Sequence, residues 1–322
     1  MTVKQQNDLL LKISRRAMAT DFELLLHRDA DSSQVDAAVR ALDSVEGIEA
    51  ELTIYRPESS ISRLNSTAAI KPVKVSALVF DVLSRAIELS ELLEGAFDIT
   101  AGRLVEIWGF TSRSGKRPTA AEIEDALRSV GWKLISLDPE SRVVGFSHPE
   151  VRINLGAIGK GYALDRIAAQ LLAAGVEDYL LHGGNSSILA HGHADRDAQR
   201  GWLVGLMHPT RANCRLGGIR LLNQALATSG NGKQFFHFRG KRYGHVIDPR
   251  TGYPAGECQS LTVLSSDATS ADALATGLFV ESLVGVEKFA SSHPDYPVIV
   301  VEAAERQGDV RVRTFNYDEL SE

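Results

Sequence analysis

The sequence predicts a mixed α+β fold, with either one continuous core or two interlocked lobes. Segments with helical spacing of apolar residues are interleaved with strand-like segments, without the strict alternation of a doubly wound fold. The 322 residues are 44% hydrophobic and 24% charged, which is ordinary globular usage and excludes disordered and fibrous architectures. The chain is long enough for a large core in one domain or two.

Helices are predicted where apolar residues recur at intervals of three and four. A cap residue or a glycine marks an end of most of them. The five predicted helices cover residues 35–52, 76–95, 119–131, 159–175 and 269–283. Thr119-Ala-Ala-Glu122 has the spacing of a capping box before the third helix, and the fifth opens at Thr269-Ser-Ala-Asp272.

Strands are predicted for short runs rich in β-branched and aromatic residues. They cover residues 22–26, 151–155, 179–181, 202–207, 260–264, 298–301 and 310–314. Two polar stretches, 111–118 and 192–201, are predicted to be loops. Helices and strands therefore alternate irregularly along the chain, which favours the α+β class.

Composition and charge exclude several classes of protein. The longest apolar runs, such as 297–301, are far shorter than the roughly 20 residues of a membrane helix, so no membrane span is expected. Thirty-five basic and 41 acidic side chains give a net charge of −6, which argues against a nucleic-acid binder with a basic face. Two cysteines, Cys214 and Cys258, cannot form a disulfide framework or a thiolate zinc site alone.

The amino-terminal residues carry one short apolar cluster, Leu9-Leu-Leu11, whereas a secretory signal needs about 7–15 apolar residues. No cysteine near the start could carry a lipid. The sequence as it stands predicts a cytoplasmic protein. A chain whose leader had been removed would look the same and would be exported.

The segment Asn154-Leu-Gly-Ala-Ile-Gly-Lys-Gly-Tyr162 leads from a predicted strand into a predicted helix. Its glycines let the backbone approach a ligand, and the helix N-terminus offers N–H groups to an anion. Lys160 would add a point charge for a phosphate. The pattern is neither a P-loop nor the dinucleotide fingerprint. A tight turn with a solvated lysine explains the same residues, so both interpretations stay open.

Two further segments carry candidate residues, the first after the predicted strand 179–181 and the second after a strand-like approach to His245. Leu181-His-Gly-Gly-Asn185 either leaves room for something bulky or is simply a turn. His245 stands three residues before the turn sequence Asp248-Pro-Arg-Thr-Gly252, which follows Thr228-Ser-Gly230 along the chain. A histidine held there could act as an acid or base near neutral pH, although most single histidines are structural.

Asp272 and Thr276 lie one helical turn apart, so their oxygens share a face of the predicted helix. A carboxylate and a hydroxyl form a hard oxygen pair that suits Mg²⁺. The alternative is that Asp272 only completes a capping box and faces the helix dipole.

In this order and at these spacings, the four segments resemble the ApbE family of flavin transferases. Earlier segments extend the resemblance: Met18-Ala-Thr-Asp-Phe22, Tyr55-Arg-Pro-Glu-Ser-Ser-Ile-Ser-Arg-Leu-Asn65 and Gly95-Ala-Phe-Asp-Ile-Thr100. It spans about residues 15–300. The resemblance implies a single ApbE-like domain over 1–322, with two interlocked lobes around a central FAD cleft.

The resemblance also implies a reaction. Members of the family bind FAD and Mg²⁺, cleave the pyrophosphate, and attach FMN through a phosphoester to a Thr or Ser hydroxyl of an acceptor flavoprotein, with release of AMP. It implies that Asp272, Thr276 and the backbone carbonyl of Ala157 hold the metal. His245 would take the proton of the acceptor hydroxyl, and Lys160 would lie beside the phosphates.

Other positions that match the family are expected to shape the flavin pocket. They are Met18, Tyr55, Asp98, Gly183, Gly184, Asn185, Ser229 and Gly230. The sequence departs from the family pattern at Ala19, where glycine is usual, and at Asn231, where many relatives carry Asp. The second departure puts a carboxylate role at that position in doubt.

Two alternatives to the transferase stay open. An FAD pyrophosphatase would use the same site with water in place of the acceptor hydroxyl. A non-catalytic FAD-binding protein would keep the pocket without turnover. The presence of all the expected metal and base residues counts against the non-catalytic alternative.

Overall fold

The structure is a computed structural model that describes residues 10–195, 200–211, 213–230, 232, 234–306, 308–318 and 320–321. The first nine residues, on which the expectation about a leader rests, lie outside this range. Asn231 and part of the predicted loop at 192–201 lie outside it as well. Within the described part, no helix is long and apolar enough to cross a membrane.

The strands are numbered here in chain order. They are β1 Leu10–Ala17, β2 Thr20–His27, β3 Val73–Lys74, β4 Ile135–Asp138, β5 Val143–Phe146, β6 Tyr179–Gly183, β7 Ser187–His191, β8 Trp202–Met207, β9 Arg215–Leu221, β10 Gln224–Gly230, β11 Phe235–Phe238, β12 Lys241–Gly244, β13 Ser260–Ser265, β14 Val298–Ala303 and β15 Val310–Phe315. The helices are α1 Ser32–Asp43, α2 Val45–Leu52, α3 Ser60–Thr67, α4 Ala77–Leu92, α5 Gly102–Ile107, α6 Ala120–Leu127, α7 Gly159–Ala173, α8 Ala268–Val280 and α9 Leu283–Ser292.

A sheet of eight antiparallel strands organises the fold, in the order β1-β2-β6-β7-β10-β13-β14-β15. Successive side chains along each strand point to opposite faces of the sheet, and both faces are buried. On β2, Leu24 belongs to the main apolar cluster and Leu25 packs against a second one. Helices α7 and α8 pack on the first face. The hairpin of β8 and β9 covers the second face with Trp202 and Leu221.

A third apolar cluster stands beside the sheet, around the buried Trp108. It joins α5 and α6 to the hairpin of β11 and β12. The indole N–H of Trp108 donates to the carbonyl of Gly252 over 2.8 Å. This contact holds the 248–252 turn against the third cluster. His245 lies in the short segment that joins β12 to this turn. The α+β class predicted from the sequence is confirmed.

The helix predictions are largely confirmed, because their cap residues act locally. Ser76 and Thr119 accept hydrogen bonds from Val79 and Glu122 in the first turns of α4 and α6. The first predicted helix is divided at Ser44 into α1 and α2. Helices α3, α5 and α9 were not predicted from the sequence.

The start predicted for the fifth helix is wrong. Helix α8 begins at Ala268, and its N-cap is Asp267, whose side chain accepts from the N–H of Ser270. Asp272 therefore stands one turn inside the helix and completes no capping box. The purely structural explanation of Asp272 as a cap residue is excluded.

Six of the seven predicted strands are present, and the one at 151–155 is wrong. That segment is extended and buries Val151, Ile153 and Leu155, so its apolar alternation is real. Its backbone, however, pairs with the side chain of Asn65, which bonds both the N–H and the carbonyl of Ile153. At the adjacent positions the N–H of Asn154 donates to the Ile99 carbonyl and the Arg152 carbonyl accepts from Gly102, which gives an isolated bridge rather than a strand pair.

Candidate active site

A cavity of about 860 Å³ opens between the sheet, the N-termini of α7 and α8, the β8–β9 hairpin and the loop after β12. Its volume lies within the usual range for a ligand site. Most of the predicted site residues line it. These are Met18, Tyr55, Asp98, Ala157, Lys160, Asn185, Ser229, Gly230, His245, Asp272 and Thr276. The fold thus brings positions from the whole length of the chain to one cavity.

Asp272 on α8 is bonded to residues of both α7 and β7. Its Oδ2 accepts from the backbone N–H of Gly161 at 2.7 Å and lies 3.4 Å from Nζ of Lys160. Its Oδ1 accepts from Oγ of Ser187 at 2.5 Å. The N–H of Gly161 is one of the first in α7, where no carbonyl of the helix can accept it. The anion held by this N–H is therefore a side chain of the protein, rather than the ligand phosphate expected from the glycine-rich segment.

Close packing of α7 against α8 makes this contact possible. A Cβ at position 161 would lie 2.0 Å from the carbonyl oxygen of Ala268, so only glycine fits. Asp165, one turn further along α7, accepts from the N–H groups of Ala268 and Thr269, each at 2.8 Å, and from the Thr269 hydroxyl. Burial raises the pKa of Asp165 to about 6. The two helices are thus tied together at their N-termini.

Thr276 places a second oxygen beside Asp272. Its Oγ1 donates to the Asp272 carbonyl at 3.1 Å, the bond that a threonine often makes to the preceding turn. The same Oγ1 lies within hydrogen-bond distance, 3.1 Å, of Oγ of Ser229 on β10. The predicted Ser229 and Thr276 therefore meet, although 47 positions separate them.

Ala157 lies in the turn that precedes α7. In that turn the N–H groups of Ile158 and Gly159 both bond to the Leu155 carbonyl, at 3.1 and 2.7 Å. The side chain of Asn154 accepts from the N–H of Gly156 at 2.9 Å. These bonds fix the turn against the cavity wall, where Ala157 is part of the lining.

The donor set fits a hard divalent cation. One buried carboxylate, the hydroxyl of Thr276 and a backbone carbonyl are all oxygen ligands, as Mg²⁺ prefers. No group of three or more His, Cys, Asp or Glu side chains able to hold a metal occurs in the described part of the chain. A metal bound here would therefore depend on one carboxylate and would leave coordination positions for phosphate oxygens and water.

His245 follows β12 directly and also lines the cavity. Its Nδ1 lies 3.2 Å from the Gln234 carbonyl, and its ring stands edge-on to Phe110. Burial, and in addition the charge of Lys160, lower the pKa of His245 below its usual 6.5. The ring is therefore largely neutral at pH 7. With Nδ1 protonated and bonded to the carbonyl, Nε2 is the basic atom.

Asp98 lines the cavity, but its carboxylate is used within the protein. It accepts from the N–H and hydroxyl of Thr100, at 2.8 and 2.6 Å, and from the N–H of Trp132 at 2.8 Å. Burial raises its pKa all the same. These contacts organise the loop that leads into α5.

The paired glycines lie where β6 ends and the hairpin turn to β7 begins, with Gly183 as the last residue of β6. Within the described part of the chain, Gly183 and Gly184 are not part of the cavity lining. A Cβ on Gly183 would lie 3.2 Å from the Phe22 ring, and one on Gly184 would lie 2.4 Å from the Thr20 hydroxyl. The space that they preserve is occupied by these two side chains. Asn185, at φ +60°, and Ser186 are the residues of this turn that line the cavity.

Met18 and Ala19 form the turn between β1 and β2. Both have positive φ, 49° and 59°, as in the two-residue turns that match the twist of a hairpin. Glycine is favoured at such positions, which explains why Ala19 in place of glycine is a strained choice. Tyr55 stands at the cavity edge with 71% of its surface exposed, so its ring is available for stacking.

Several residues of this site were not predicted from the sequence. Ser187 belongs to the segment after the paired glycines, and its hydroxyl on a buried strand could have been identified as a partner for a carboxylate. The β8–β9 hairpin forms a wall of the cavity that includes Leu206, His208 and Ile219. No local pattern in the sequence predicted that these residues belong to the site. The position of this wall depends on how the hairpin packs on the sheet.

The sequence model of the ApbE family matches residues 18–300. An FAD:protein FMN transferase of Haemophilus influenzae is 31% identical over 288 residues, which cover 86% of this chain and 82% of that protein. One of Klebsiella pneumoniae is 34% identical over 269 residues, which cover 83% and 79%.

Solved structures share the fold. The ApbE protein of Thermotoga maritima has a TM-score of 0.83 at 29% identity and covers 93% of this chain and 97% of its own. The flavin transferase ApbE from Vibrio cholerae has a TM-score of 0.78 at 28% identity, with 95% and 96% covered.

Proposed function

Because this chain belongs to the ApbE family, we propose that it is an FAD:protein FMN transferase that uses Mg²⁺. The family membership, together with relatives named FAD:protein FMN transferase, supports a transferase enzyme. One observation carries the finer proposal. The oxygen cluster of Asp272 and Thr276, the ammonium of Lys160 and the neutral ring of His245 line the same cavity.

The reaction would exchange one P–O bond for another. The hydroxyl oxygen of an acceptor Thr or Ser forms a bond to the phosphorus on the FMN side of the pyrophosphate. The bond from that phosphorus to the bridging oxygen breaks, and AMP leaves. Nε2 of His245 would accept the hydroxyl proton, since this weak nucleophile needs a base near neutral pH.

Lys160 and the oxygen cluster would supply the electrostatics. A pyrophosphate carries about two negative charges, and catalysis of its cleavage is mainly positioning and charge neutralisation. Lys160 reaches 3.4 Å from Asp272, so a phosphate held beside that carboxylate would lie within its reach. Asp272, Thr276 and the Ala157 carbonyl would hold Mg²⁺. When bound, the ion would neutralise charge on the phosphate oxygens.

The acceptor would enter from the side of His245. FAD would occupy the cavity, with its flavin near Met18 and Tyr55. The acceptor is expected to be a flavoprotein with a Thr or Ser attachment site. A small hydroxyl compound would fit the same chemistry, but the family relatives act on protein.

The test combines purified protein, FAD, MgCl₂ and a flavin-acceptor domain. The readouts are flavin fluorescence that survives denaturation on the acceptor, and AMP release. A fluorescent acceptor with AMP formed in step would support the transferase. AMP with free FMN and a dark acceptor would favour the pyrophosphatase. Bound FAD without either product would overturn both and favour a non-catalytic binding protein.

A further inference from the structure

Two segments beside the cavity carry an unusual excess of positive charge. Residues 111–117 and the described residues of 234–245 contain six Arg or Lys and no Asp or Glu, in a chain with a net charge of −6. The six are Arg113, Lys116, Arg117, Arg239, Lys241 and Arg242. All six are exposed, and Lys116 pairs with Glu122 at 2.8 Å. We call this region the basic hairpin surface.

The two segments form one surface because their aromatic and glycine residues interlock. A Cβ at Gly115 would lie 2.7 Å from Phe236, and the Phe110 and Phe236 rings are 5.7 Å apart. The Arg117 guanidinium lies 5.8 Å from the centre of the Phe238 ring. The loop is therefore held against the β11–β12 hairpin.

The basic hairpin surface continues directly into the proposed catalytic site. Thr111 and Arg113 line the cavity from the loop side, and Gln234 and His245 line it from the hairpin side. The Gln234 carbonyl holds both the backbone N–H and the ring of His245. A partner seated on the hairpin would be next to the proposed base.

The outer part of the surface has the composition of a protein interface. Phe235 and Phe238 are 42% and 37% exposed, which is unusual for phenylalanine. Arg242 lies 3.9 Å over the Phe235 ring, and Arg239 lies 5.4 Å over Phe238. Stacked guanidinium groups and aromatic rings are enriched where proteins bind one another.

Of the six cations, Arg113 lines the cavity from the loop, whereas the cations of the β11–β12 hairpin stand apart from it. Within the described residues, Arg239, Lys241 and Arg242 do not line the cavity. Lys160 already lies beside the expected position of the phosphates. A nucleic acid is disfavoured because the net charge of the protein is negative. An acidic polypeptide satisfies both the charge and the aromatic character of the surface.

We propose that the basic hairpin surface docks an acidic stretch of the acceptor protein, next to the hydroxyl that is modified. This inference rests on the proposed function, since it assigns the acceptor side of that site. Charge complementarity would mainly speed encounter and set the register of the acceptor, so the effect is expected to weaken as salt screens it.

Binding of short fluorescein-labelled peptides, followed by anisotropy, tests the surface independently of catalysis. One peptide carries a Thr flanked by Asp and Glu, and its counterpart carries Asn and Gln at the same positions. A single-stranded DNA of similar length is the third probe. The variant combines Arg117→Glu and Lys241→Glu. A matched control combines Lys71→Glu and Lys288→Glu, which are exposed, remote from the cavity lining and identical in charge change.

At low salt we expect wild type and control to bind the acidic peptide at least about tenfold more tightly than the neutral one, and the R117E/K241E variant to lose this preference. FAD affinity should be the same in all three proteins. Equal binding of both peptides, an unaffected variant or tighter binding of the DNA would overturn the proposal, and so would a parallel loss of FAD affinity. If the acidic peptide bound to the basic hairpin surface but no FMN were transferred, the docking proposal would be supported and the proposed function would be contradicted.

Discussion

The backbone N–H of Gly161 donates to Oδ2 of Asp272 over 2.7 Å and so ties the N-terminus of α7 to the second turn of α8. This hydrogen bond places a buried carboxylate beside the N-terminus of a helix, where the first N–H groups have no partner within the helix. It also orients Asp272 toward Lys160 and the cavity. A structural contact and a proposed ligand position thus share one side chain.

Replacing Asp272 by Asn should reduce Mg²⁺-dependent FAD cleavage by about a hundredfold or more, because the only carboxylate of the oxygen cluster loses its charge. The amide oxygen can still accept from Gly161 or from Ser187, so the fold should survive with a loss of about 1–3 kcal/mol in free energy of unfolding. Activity against MgCl₂ concentration and urea unfolding measure the two effects. Unchanged turnover would remove Asp272 from the site.

Gly161→Ala should destabilise the protein by about 1–3 kcal/mol, because the added Cβ would meet the Ala268 carbonyl at 2.0 Å and force α7 away from α8. Activity should fall with it, since Lys160 and Asp272 sit on the two helices. Gly47→Ala is the matched control. Position 47 lies inside α2 with open space around it, so alanine should stabilise the protein by about 0.5–1 kcal/mol. Equal urea midpoints for the two variants would contradict this account.

The pH dependence of transfer should report His245. A base acts in its neutral form, so the rate should fall with decreasing pH through a pKa below 6.5, the direction set by burial and by Lys160. His245→Gln should slow transfer about 10²–10⁴-fold and abolish this acidic limb while FAD affinity persists. Lys160→Met should move the limb of the remaining activity to higher pH. Loss of FAD binding in H245Q would instead make His245 structural.

Asp165 should make stability depend on pH between about 4 and 6. Its pKa is about 6 in the folded protein and near 3.8 when exposed, so folding takes up a proton in this window. The stabilising contribution of the protonated carboxyl is therefore complete below pH 3.8 and is lost as the pH rises through about 6. Urea midpoints of wild type and Asp165→Asn at several pH values provide the measurement. The urea midpoint of the wild type should fall relative to that of the variant between pH 4 and pH 7. A difference in midpoint that does not change with pH would contradict the prediction.

Ala19→Gly should stabilise the protein by about 1 kcal/mol. Ala19 has φ +59°, where a Cβ costs about 1–2 kcal/mol, and the greater freedom of glycine in the unfolded chain offsets part of the gain. Thermal unfolding of the two proteins measures the difference. A lower melting temperature for the glycine variant would show that the alanine methyl group makes a compensating contact.

Local signals explain which parts of the fold were predictable. Ser76 and Thr119 cap their helices through residues three positions ahead, and such patterns need no tertiary information. Two overlapping patterns compete at the start of α8. Thr269 does not cap the helix because Asp165, 104 positions away, binds its N–H and its hydroxyl. A contact between residues far apart in the sequence therefore bears on which residue caps α8.

The residues of the site also divide into those with a local sequence signal and those placed by distant contacts. Lys160, His245, Asp272 and Thr276 belong to segments with recognisable chemistry, and the cavity brings all four together. The contact between Ser187 and Asp272 depends on how β7 lies under α8, which no spacing in the sequence specifies. Gly183 and Gly184 were expected to leave room for the nucleotide, whereas their neighbours are Phe22 and Thr20.

Lys160 and Asp272 are separated by 112 positions, so a ribosome exposes the first long before it has made the second. A nascent chain that ends before residue 272 carries the glycine-rich turn but lacks the carboxylate that binds the N–H of Gly161. The capacity to cleave a flavin nucleotide would arise only when the last helix of the pair docks. Unfinished or truncated chains would therefore not cleave FAD.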